Sequence, residues 1–122
     1  MRGIPRSIGS STPSVMTPAV GDTILCHSAA IAVKVSPADA VLCITVKSST
    51  GTPLSPVVQC KGSNGIYAGN VDFGPMPAGP AVLHVCYAKD GVSCASGTGG
   101  CSLVPVVVQC TNWYGAPNSG AP

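Results

Sequence analysis

The chain is 122 residues long, one domain's worth, with 45% hydrophobic but only 8% charged residues and a net charge of +2. The six basic residues are scattered (Arg2, Arg6, Lys34, Lys47, Lys61, Lys89) and form no stripe with interleaved aromatics, so a nucleic-acid partner is not expected. No apolar run approaches the ~20 residues that span a bilayer, and Gly (15) and Pro (12) interrupt the chain too often for a long helix.

Residues 1–21 are rich in Ser, Thr, Pro and Gly, with isolated apolar residues at Ile4, Ile8, Val15, Met16 and Val20. They read as an extended N-terminal arm, with a basic start but without the continuous apolar stretch of a secretory signal. A neighbouring subunit is the simplest surface for such an arm; its own domain is the alternative.

From Asp22 the pattern changes, and residues 22–110 read as a β domain. Residues 23–28 and 30–35 form two short strands or one bent one, with Ile31, Val33 and Val35 on one face. After a turn at Ser36-Pro37-Ala38-Asp39, residues 40–47 place Leu42, Ile44 and Val46 on one face. Val41, Cys43, Thr45 and Lys47 take the other. A loop over 47–53 leads to a short strand at 56–60, where Pro56 suits a first position or an edge. Asn64-Gly65 is a tight-turn signal and starts a strand over 66–73. Residues 74–80, GPMPAGP, read as a rigid crossover. The strand at 81–89 alternates Leu83, Val85 and Tyr87 with Val82, His84 and Cys86. Asp90-Gly91 offers another turn, and residues 103–110 are apolar enough for a last strand covered on both faces. Residues 111–122 form a C-terminal tail that carries Trp113 and Tyr114.

Two stretches share an outline: AVLCITVKSSTGTPLSPVVQC at 40–60 and AVLHVCYAKDGVSCASGTGGCSLVPVVVQC at 81–110. Each opens on Ala-Val-Leu, crosses a Gly-containing loop and closes on a Pro-Val-Val…Gln-Cys strand. Such hairpins bury a face only by packing on another sheet. About seven short strands with a turn every ~8–12 residues predict an all-β antiparallel sandwich. The stretch FGPMPAGPAVLHVCYA, from Phe73 to Ala88, resembles the lead into the penultimate strand of immunoglobulin-like domains. The resemblance implies an immunoglobulin-like β-sandwich over about ninety residues and carries no activity with it. The buried Trp of antibody domains has no counterpart, because Trp113 follows the last strand.

Seven cysteines invite disulfides. Cys94 and Cys101 bracket the flexible ASGTGG and form the first expected bridge. Cys60 with Cys110, and Cys43 with Cys86, are two further possible pairs; spacing alone leaves the connectivity open. The odd total leaves a free thiol or a bridge between subunits. Cys26-His27 and His84-x-Cys86 are the His/Cys clusters, and without paired CxxC-like spacing no metal is expected. There is no Glu, the four Asp sit at or beside turns or between short strands, and no GxSxG occurs. SGTGG lacks the Lys and helix of a phosphate loop. Neither an enzyme nor a cofactor is expected.

Many cysteines beside no recognisable signal leave two histories. Either a signal has been cut away, or the protein is made in a cytosol and works outside after release, as virus particles do. Together with the low charge, this leads to the expectation of a structural virion protein resembling bacteriophage capsid decoration or cement proteins. Such a subunit is made in the host cytoplasm and displayed on the virion surface. It binds the major capsid protein or other virion subunits as a homo-oligomer on the particle, without nucleic acid or membrane. Its interface candidates are Ile4, Ile8, Val15, Met16, Trp113 and Tyr114. The alternatives are a secreted bacterial adhesion or carbohydrate-binding sandwich, and a filament or pilus subunit that donates an arm as a strand.

Overall fold

The computed structural model describes residues 12–110. Eight strands follow one another: β1 (Ser14–Thr17), β2 (Thr23–Leu25), β3 (Ser28–Lys34), β4 (Val41–Ser48), β5 (Val58–Lys61), β6 (Ile66–Asp72), β7 (Gly79–Ala88) and β8 (Thr98–Gln109). They make a three-stranded sheet in the order β1-β3-β6 and a five-stranded sheet in the order β2-β8-β7-β4-β5. The described residues are all-β, and the two sheets form a sandwich. All pairings are antiparallel except β2 with β8, which is parallel.

The alternation in sequence decides which faces meet. Leu42, Ile44 and Val46 of β4, Leu83 and Val85 of β7, and Val104, Val106 and Val108 of β8 form the buried side of the larger sheet. Ile31 and Val33 of β3, Val71 of β6, and Val35 and Phe73 just beyond those strands answer from the smaller one. With Phe73 as the one fully buried aromatic ring among the described residues, the layers are built from branched aliphatic side chains, which suit a pleated surface.

The two sequence repeats lie side by side in one sheet. Residues 41 apart are repeat equivalents, and β4 pairs with β7 so that the equivalents Ile44 and Val85 face each other. A local two-fold axis therefore passes through that pair. The symmetry ends with the central strands. Cys60 lies opposite Leu42 on β5, whereas Cys110 lies beyond the end of β8.

Four expectations change. Residues 14–17, read as arm, are a strand on the edge of the smaller sheet, and Val15 packs against the core. Pro13 is fully buried there, and its carbonyl accepts a hydrogen bond from the Ser102 hydroxyl of the opposite sheet, so this segment closes one side of the sandwich. Gly79 and Pro80 open β7 instead of belonging to the crossover. Finally, β8 runs from Thr98, not 103, and only one of its faces is covered.

Pro105 sits inside β8 without breaking it. Gly21 N–H donates to the Pro105 carbonyl and Val107 N–H to that of Asp22, so odd-numbered residues of this part of β8 turn their backbone away from β7. The donor that Pro105 lacks would have pointed outward, where β7 does not need it. At Asn64-Gly65 the predicted tight turn forms, both residues having positive φ (56° and 84°).

Candidate interaction face

The outer face of the five-stranded sheet is divided into an armoured half and a bare half. In the first, Val41, Cys43, Cys86 and Ala88 point away from the core and are nevertheless buried. The connector 89–97 folds across them. The Asp90 carboxylate accepts the N–H groups of Val92 and Ser93 at 2.8 and 2.9 Å. The Ser93 hydroxyl accepts from Ala95 N–H and caps a single 3-10 turn, Cys94–Ser96. The Ser93 N–H, the Ser96 hydroxyl and the Val92 N–H hold the Asp90 carboxyl down at about 2. Cys94 N–H donates to Gln59 Oε1 at 2.9 Å, tying the connector to β5.

Two disulfides fasten this half, Cys43–Cys94 and Cys86–Cys101, and a third, Cys26–Cys110, joins the ends of β2 and β8. The expected bridge Cys94–Cys101 does not form, nor do the two possible pairs Cys60–Cys110 and Cys43–Cys86. Cys94 folds over β4 instead of back onto β8, so it meets Cys43. Cys86 faces Cys101 in a narrow cross-strand pair with Cα atoms 4.0 Å apart. Leu25 is level with Gln109 in the parallel β2–β8 pair, which brings the following residues, Cys26 and Cys110, together. Cys26 was missed because parallel pairing leaves no mark in local sequence.

Cys60 is the free cysteine and turns inward, packing half-buried on the core. It lies beside Tyr67 of β6. Burial, then the hydrogen bond and charge interaction with Cys60, push the Tyr67 hydroxyl up to about 12.

The other half of the face is open. Leu103 is 56% exposed, Leu25 54% and Val107 43%, and they share their side of the sheet with exposed Pro80 and Pro105 and half-buried Val82. Nothing among the described residues crosses this region. Val20, 74% exposed, stands on the connector that runs against Pro105. Lys47 and His84 border the patch on the β4 side. Partial burial, then Lys47, lower the His84 pKa below the usual imidazole value.

Around the armoured half lies a groove of about 420 Å³, walled by Pro37, Asp39, Gln59, Lys61 and Val92 over a floor of Val41 and Ala88. Of the other interface candidates, Met16 is 41% exposed on β1. Val15 is packed inward, and Ile4, Ile8, Trp113 and Tyr114 lie outside the described residues. Cys26 and Cys86 are held in disulfides. Among the described residues no three His, Cys, Asp or Glu side chains converge.

Neither a protein-family model nor a curated protein matches this chain. Three disulfides point to an oxidising, extracellular setting. No helix among the described residues is long and apolar enough to cross a membrane.

Proposed function

We propose that this chain is a non-enzymatic structural subunit of a virion, a capsid decoration or cement protein that works by adhesion. The observation that carries the reading is the bare, charge-poor apolar patch of Leu25, Val82, Leu103, Pro105 and Val107 on an otherwise cross-linked sandwich. Exposed apolar patches of this kind mark surfaces meant to be covered. The disulfides and the connector make the body rigid, so adhesion loses little entropy in ordering it. The strand order also supports the immunoglobulin-like resemblance. The first strand segment is divided between the two sheets, and an extra edge strand, β5, follows β4 in the manner of the variable-type sheet.

The test is physical association. Particles from a lysed producing culture are banded by density, and peptides are counted by mass spectrometry. Many copies per particle in the band support the reading; recovery only in the free or envelope fraction overturns it. The 420 Å³ groove beside Asp39, Gln59 and Lys61 favours the second reading, a secreted carbohydrate-binding or adhesion domain. Binding on a glycan array, lost with Asp39→Ala, would bring that reading forward.

A further inference from the structure

We propose that a pit on the outer face of the five-stranded sheet, between its armoured and bare halves, binds the carboxylate of a small organic acid through Thr45, Lys47 and His84. The pit shares no lining residue with the groove beside Asp39, and the adhesive reading does not depend on it.

Register builds the pit. Thr45 and His84 are direct partners across β4 and β7, and Lys47 follows Thr45 on the same face. The chain leaving β4 turns back along that strand, with Leu54 N–H donating to the Val46 carbonyl and Pro53 bridging to Lys47. It raises a wall of Pro53, Pro56 and Val57 beside the three polar side chains. Cys43, Cys86 and Cys101 line the end toward the armoured half, and the enclosed space is about 340 Å³.

One group in the pit calls for a ligand. Thr45 is 6% exposed, yet its hydroxyl has no hydrogen-bond partner among the described residues. Ser55 nearby shows the contrast, since its equally buried hydroxyl accepts the Val46 N–H and donates to the Pro56 carbonyl. A buried hydroxyl left alone is costly, so the space it faces should supply the partner. No acidic side chain lines the pit, which leaves the Lys47 ammonium unopposed there. Burial, then Lys47, lower the His84 pKa, so near neutrality the ring is uncharged and offers one N–H. The pit thus presents a single positive charge and two neutral donors. A carboxylate matches this set, with one negative charge and two oxygens that accept several bonds. A phosphate group, close to doubly charged at neutral pH, would exceed it. Exposed Pro53, Pro56 and Val57 give a short apolar body a surface to lie on.

Nuclear magnetic resonance of the full chain reads the pit directly. Butyrate at constant ionic strength is expected to move the His84 ring signals saturably, with a dissociation constant on the order of 1 mM. His84→Gln tells those signals from the ones of His27. Butyramide keeps the shape and loses the charge, and should bind about tenfold more weakly, while chloride should not compete. Lys47→Met should weaken butyrate by about tenfold and Thr45→Val by about fivefold. Because the Thr45 hydroxyl has no partner to lose, Thr45→Val should melt no lower than the parent, which separates lost binding from lost folding.

A pit that holds only water gives no saturable movement, and that result overturns the proposal. So do equal binding of butyramide, competition by chloride, or full affinity in Lys47→Met. A lower melting point in Thr45→Val would show the hydroxyl already partnered and would remove the floor of the site. The source of the carboxylate is read by a dipeptide with a free C-terminus beside its amide. If the free dipeptide matches butyrate and the amide fails, the pit takes chain ends; if butyrate alone binds, it takes a free acid. Either result supports the carboxylate site.

Discussion

Cys43 and Cys86 face each other across β4 and β7, yet each is bonded elsewhere. The backbone explains it. Cys101 belongs to the odd-numbered residues of β8 that turn their N–H and C=O away from β7, so Cys86 and Cys101 form the narrow, non-hydrogen-bonded kind of pair. Cys86 consequently spends its backbone groups on β4, and Cys43–Cys86 is the wider kind, at about 5.5 Å between Cα atoms. Adjacent strands therefore bond at 86–101, and Cys43 is left for the connector.

The bridge pattern is the first prediction. Peptide mapping without reduction is expected to recover Cys43 with Cys94, Cys86 with Cys101 and Cys26 with Cys110, and to label only Cys60. Removing Cys43 and Cys94 together should lower stability by about 2–4 kcal/mol, because a loop closed over 51 residues is released. Recovery of a Cys94–Cys101 peptide would refute the arrangement.

Acid should act on the connector. The Asp90 carboxyl is held at about 2 against an ordinary 3.8, so its ionised form is favoured by folding. Its contribution is complete above pH 3.8 and disappears as pH falls toward about 2. Asp90→Asn should melt below the parent near neutrality, and the two curves should converge across that window. A gap independent of pH would show that the charge is not what holds the turn.

Much of this fold was legible in the sequence. Alternation assigned the faces of residues 40–47 and 81–89 correctly, because each strand has one face in a single core, and Asn64-Gly65 announced its turn through the φ values it requires. What could not be read was pairing between distant segments. The edge strand at Ser14–Thr17 is too short and polar to show a period, and β2, though read within a strand at 23–28, carries no sign of its parallel partner. The bare face was hidden for a different reason. Leu103-Val104-Pro105-Val106-Val107-Val108 is apolar on both sides, and such a run has the composition of a fully covered strand. The structure separates the two sets, with Val104, Val106 and Val108 inside and Leu103, Pro105 and Val107 out.

That separation gives a contrast of two truncations. Ile44 lies on the local two-fold axis with no exposure, and Ile44→Ala should cost about 2–5 kcal/mol in denaturant unfolding. Leu103→Ala, on the bare face, should change stability by no more than about 0.5 kcal/mol. Similar losses from both would mean that Leu103 is covered within the folded monomer.

The last prediction concerns the open side between β5 and β6, where Cys60 meets Tyr67. Burial keeps the Tyr67 hydroxyl neutral, and the neighbouring thiol, as hydrogen-bond partner and as a developing negative charge, pushes the same way, up to about 12. In the unfolded chain the phenol ionises at its ordinary value of 10.0. The group therefore stabilises the fold fully below pH 10, and that contribution fades as pH rises through about 12. Difference titration of tyrosinate absorbance between the parent and Tyr67→Phe should isolate one late-titrating hydroxyl. Cys60→Ala should bring that step to lower pH without returning it to the ordinary value, because burial remains the larger cause. Alkaline melting gives the second readout, with the parent losing stability relative to Tyr67→Phe only above pH 10. If the isolated hydroxyl titrates at its ordinary value, Tyr67 is open to water and does not meet Cys60 as described.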